Sequence, residues 1–204
     1  MVFKFLIVIA TTIAILIYGI MAPEHNWDMV AYVATAYHRD GYRGSDLTRV
    51  TYGEIKEQVS NKVFSKLVKG GYRETVFRDP SSLEQQIPFY SIRFGYIELI
   101  RLFKHFGLSY TKATYVISAI FASLSVLILG LIISETTVPI GILPFVVGLT
   151  GYEEIARLST PDAMACFFSL LAIYSLIRKR KWVFVMAAIL PSIRTDFILL
   201  SGIL

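Results

Sequence analysis

Two long apolar runs, residues 5–22 and 110–134, constrain this chain more than any other feature. In a bilayer core a backbone cannot bond to water, so such runs must be helices that satisfy their own peptide groups. At about 1.5 Å per residue, residues 5–22 cover about 27 Å, close to the thickness of the hydrocarbon core. The charged fraction, 17%, is well under the roughly 25% of a soluble domain. The net charge of +5 does not mark a nucleic-acid binder, because many basic residues flank apolar runs, where positive charge orients membrane proteins. The expected fold is therefore all-α, a multi-pass transmembrane helical protein read as a single membrane domain over residues 1–204.

Residues 5–22 follow Lys4 and precede Pro23. A cleaved signal peptide is the rival reading, but Ile20-Met21-Ala22 is a poor small-x-small cleavage site. An uncleaved first helix with the N-terminus in the cytoplasm is preferred. Residues 23–109 then form an outer loop holding most of the acidic residues. Within it, 26–38 reads as a helix, and 47–68 as one amphipathic helix with Ile55, Val59, Val63 and Leu67 every fourth residue. Residues 88–106 carry Arg93, Glu98, Arg101, Lys104 and His105 on one arc. Ile92, Leu99, Leu102, Phe103 and Phe106 lie on the opposite arc. The expectation is a helix lying in the membrane interface. Beyond 110–134 come a short run with two prolines at 138–150, a polar loop at 151–161 and a helix at 162–177. The basic cluster 178–181 and Trp182 follow, then an apolar stretch at 182–191. With 88–106 in the interface, 178–181 is cytoplasmic, as positive charge requires. Residues 23–109 and 151–161 then share the outer face. The run 197–204 lacks a polar flank, so the sequence reads as the N-terminal part of a longer protein.

Four groups of residues could carry chemistry. Asp28 lies shortly after the first run, with Tyr32 four residues on and so on the same helical face. Asp162, in Thr160-Pro-Asp-Ala163, opens a helix, where a carboxylate also serves simply to meet the helix dipole. Glu153 and Glu154 occupy the second outer loop. Arg194 and Asp196 sit between apolar runs, either satisfying each other or forming an anion site. Cys166 is alone in an apolar run, which excludes a disulfide framework. No Walker A loop, nucleophile elbow, Asn-x-Ser/Thr acceptor or metal-spaced His/Cys cluster is present; His25, His38 and His105 are scattered.

The order of these features resembles the glycosyltransferase C superfamily, multi-pass transferases that take sugars from polyprenyl-phosphate carriers. Asp28-x-x-x-Tyr32, Arg93-Phe-Gly-Tyr96, Thr160-Pro-Asp-Ala163 and Pro191-Ser-Ile-Arg-Thr-Asp196 carry the resemblance. It implies an inverting sugar transfer to an acceptor at the outer face of a cell envelope, that of a bacterial inner membrane. It further implies Asp28 and Asp162 as the catalytic pair, with Tyr32, Arg93, Glu153, Glu154, Arg194 and Asp196 contacting substrate. A divalent cation at Asp28 or Asp162 is an open element. The implied partners are membrane lipid and the polyprenyl-phosphate donor. A transporter or flippase stays open beside this reading, since proline-interrupted helices such as 138–150 and 182–191 occur at transporter sites. So does a non-catalytic assembly protein.

Overall fold

The computed structural model describes residues 2–197 and 202. The apolar run 197–204 lies, past Phe197, outside the described residues apart from Gly202. Among the described residues every regular element is helical: α1 (Val2–Met21), α2 (Trp27–Arg39), α3 (Gly44–Gln58), α4 (Asn61–Val68) and α5 (Tyr72–Arg78). There follow α6 (Pro80–Glu84), α7 (Ile87–Ser91), α8 (Phe94–His105) and α9 (Tyr110–Ser134). The last are α10 (Leu143–Leu149), α11 (Tyr152–Arg157), α12 (Asp162–Ile177) and α13 (Trp182–Ile193). Short 3-10 turns stand at Ile140–Ile142 and Thr195–Phe197. The chain forms two compact units, Met1–Pro23 with Tyr115–Leu204, and Glu24–Thr114.

In the first unit α1 and α9 run antiparallel. A methyl group added at Gly19 would meet the Ala119 Cβ at 2.7 Å, and one at Gly130 would meet the Val8 Cγ1 at 2.9 Å. Small residues at both crossings let the backbones approach, the packing that membrane helices favour. Val8, Ile15, Ala122, Val126, Leu143, Val147 and Ala156 form the shared core. Hydroxyls on these helices bond back along them: Thr11 donates to the Ile7 carbonyl at 2.8 Å, and Ser125 to that of Phe121 at 2.8 Å. These two hydroxyls therefore need no water, whereas the buried Thr12 hydroxyl has no partner among the described residues. Phe3–Met21 and Tyr110–Ser134 are long and apolar enough to cross a membrane; three further apolar helices are shorter. Phe5, Leu6, Ile13, Ile17 and Ile20 of α1 face outward, exposed, a patch water would penalise.

The second unit is built around α2, whose residues Met29 to Ala36 are buried without a break. α3, α7 and α8 pack on it. Three expectations are corrected here. Residues 47–68 are not one helix: Val59 is extended, and Ser60 caps α4 by accepting from the Val63 amide at 3.3 Å. Residues 88–106 break at Ile92 and Arg93 into α7 and α8. And α8 turns a third face, Tyr96, Ile97 and Ile100, into the core. Of its expected apolar arc, Ile92, Leu102 and Phe106 stay exposed, joined by Phe89 and Phe94. Three residues of the charged arc are paired: Arg101 bonds Asp40 at 3.2 Å and Glu98 at 2.7 Å, and Lys104 reaches Glu54 at 3.4 Å. In the first unit, likewise, 151–161 is not wholly loop, since α11 forms after Gly151 adopts a left-handed φ of 72°.

Candidate functional site

Asp28 stands in the first turn of α2, where its charge meets the positive helix end. Tyr32 follows one turn later, and α7 brings Tyr90 against both. The Tyr90 hydroxyl donates to Asp28 Oδ1 at 2.6 Å, a short charge-assisted bond. Burial, and then the Asp28 carboxylate, push the Tyr90 phenol up from its ordinary range. It therefore stays a proton donor at neutral pH. The Tyr32 ring meets Tyr90 and Tyr96 edge-on, each at 4.9 Å between centroids. Arg93, in the break between α7 and α8, lies 5.4 Å from the Tyr90 centroid and 5.9 Å from that of Tyr32. Arg93 makes no ion pair among the described residues, so its charge is held only by the ring faces. Asp28, Tyr32 and Arg93 are thus brought together. Tyr90 and Tyr96 complete the group; Tyr96 ends the Arg93-Phe-Gly-Tyr96 stretch, while nothing in the sequence singles out Tyr90.

The first unit assembles a second group. Asp162 is the first residue of α12. Its Oδ2 accepts from the Thr160 hydroxyl at 2.7 Å, and its Oδ1 from Arg194. Arg194 also grips Asp196 with two bonds, 3.0 and 2.7 Å, the fork geometry that suits a carboxylate. Asp162, Arg194 and Asp196 therefore form one cluster. Glu153 and Glu154 do not join it. Glu154 pairs with Arg157 at 3.3 Å, while Glu153 Oε2 is buried with no hydrogen-bond partner among the described residues. Arg157 in turn donates from Nε to the Ala22 carbonyl at 2.6 Å, satisfying an orphan acceptor at the end of α1.

A divalent cation fits the second cluster poorly. A guanidinium occupies Asp162 and Asp196, and a cation there would have to displace it. Among the described residues no group of three or more His, Cys, Asp or Glu side chains gathers to hold a metal.

Comparison of the chain with protein-family models, curated proteins and solved structures returns no match.

Proposed function

We propose that this chain carries the outer-face site of a membrane glycosyltransferase of the C superfamily type, moving a sugar from a polyprenyl-phosphate donor to an acceptor hydroxyl. The single observation that carries this reading is the Asp28 carboxylate, fixed on one oxygen by Tyr90, with Arg93 stacked beside it. One oxygen of Asp28 is held by a donor that does not ionise; the other is left to take a proton. A general base needs that combination of fixed geometry and a free lone pair.

In this reading the acceptor oxygen attacks the anomeric carbon and its proton passes to Asp28. The bond from that carbon to the phosphate oxygen breaks, and the configuration inverts. Polyprenyl phosphate leaves with the bonding electrons. Arg93 and Tyr32 contact the sugar or its phosphate, and cationic charge near the leaving oxygen lowers the barrier. Within the first unit, Arg194 keeps Asp162 oriented. Two features support placing the chemistry at a membrane. One is the outward apolar surface of α1. The other is the exposed row Phe89, Ile92, Phe94, Leu102 and Phe106, suited to lie among acyl chains.

The test is sugar transfer by membranes carrying the intact protein, supplied with a panel of polyprenyl-phosphate-linked pentoses and hexoses. Asp28→Asn should cut transfer by about 10²-fold or more, the usual scale for losing a general base. Near-normal transfer removes Asp28 from the mechanism. Loss of lipid-phosphate translocation, with no transfer by the unsubstituted protein, would favour the transporter reading.

A further inference from the structure

α12 and α13 form a tight helical hairpin in the first unit. Its core is Ala172, Val183 and Met186, backed by Phe168, Leu171 and Ile189. The turn is the basic stretch Arg178-Lys-Arg-Lys181, with Lys179 in a left-handed conformation at φ 52°. Beside this turn a cavity of about 470 Å³ opens, lined by Leu171, Tyr174, Arg178, Arg180, Trp182 and Met186. A second, of about 400 Å³, shares Arg180 and Trp182 and adds Lys181 and Val185.

The charges at this turn are not balanced. Arg178 reaches Glu135 at 3.0 Å. Among the described residues Lys179, Arg180 and Lys181 make no ion pair. The chemistry around them is layered. Charge and the exposed Trp182 sit at the turn, while Leu176, Ile177, Phe184 and Val185 stand exposed beside it. A soluble anion has no use for the apolar part. A headgroup phosphate joined to acyl chains uses both: oxygens on the Arg forks, chain along Leu171 and Met186, and Trp182 at the polar boundary.

We propose that the α12–α13 turn is a binding site for an anionic phospholipid, held by Arg178, Arg180 and Trp182. This rests on the membrane reading above but not on the transfer chemistry. The chain has two tryptophans, so Trp27→Phe leaves Trp182 as the sole reporter. The protein is reconstituted in phosphatidylcholine vesicles with a minor share of one brominated lipid, either phosphatidylglycerol or phosphatidylcholine. Brominated phosphatidylglycerol should quench Trp182 several-fold more than the same share of brominated phosphatidylcholine. The double substitution Arg178→Gln with Arg180→Gln should remove the difference. Native mass spectrometry of the unsubstituted protein makes the same comparison through the lipid it retains. Equal quenching by both lipids overturns the site but leaves the membrane reading. A preference that survives the double substitution, or is abolished by inorganic phosphate, also overturns it. Quenching by neither lipid removes the turn from the bilayer surface, and the membrane reading falls with it.

Discussion

Tyr90 is the residue that changes most between sequence and structure. Its bond to Asp28 crosses 62 residues, and no local spacing announces it, whereas Asp28 and Tyr32 advertise themselves by lying one helical turn apart. Tyr90→Phe keeps the ring against Tyr32 and removes only the donor. Asp28 loses its orienting donor, so transfer should fall about 10- to 100-fold, and because a bond to a charged group contributes about 1.5–3 kcal/mol to stability, the unfolding temperature should fall as well. A rate equal to that of the unsubstituted protein would show that Asp28 needs no orienting partner. Glu54 is a residue that sequence reasoning gave no role. It is almost fully buried, accepts from the Tyr37 hydroxyl at 2.8 Å, and caps the start of α9 by accepting from the Thr111 amide and hydroxyl, each at 2.8 Å. Burial, and then Glu54, push the Tyr37 phenol up, so this donor too stays protonated. Glu54→Ala strands these donors and should cost about 3 kcal/mol, read as a lowered melting temperature in detergent.

At the scale of elements, strong boundaries made some helices legible and hidden ones made others not. Asp162–Ile177 is read correctly because Pro161 opens it and a basic turn closes it. The break at Val59 was invisible, because the apolar residues keep their fourfold spacing across it while Ser60 supplies the new cap. The break at Arg93 was hidden for another reason. The chain leaves helical geometry there, with ψ 49°, beside the two tyrosine rings that Arg93 faces, and one of them, Tyr32, belongs to α2, which no helical wheel of this segment contains. The α1–α9 contact gives its own prediction. Gly19→Ala drives a methyl into the Ala119 Cβ and the Ala156 carbonyl oxygen, each at 2.7 Å. Neither neighbour can rotate away, so the helices must separate. A loss of about 1–3 kcal/mol is expected, seen as a lower unfolding temperature. An unchanged melt would mean the two helices do not cross at these residues.

At the scale of the whole molecule, helical class was legible in the long apolar runs, because lipid leaves such runs no other structure. The site was legible only in part: the sequence marked the carboxylates and arginines, but their partners come from segments distant in the chain. The proposed function depends on sidedness, since it needs residues 23–109 and 151–161 on the outer face of the membrane and 178–181 on the inner. Cysteine accessibility measures this directly. In a Cys166→Ala background, single cysteines replace Ser60 in the second unit, Glu154 in α11 and Lys179 in the basic turn. They are probed in intact cells with a thiol reagent that does not cross membranes. Labelling is expected at 60 and 154 from outside, and at 179 only after permeabilisation. Labelling of 60 and 154 from opposite faces, or of 179 from outside, would contradict the proposed function.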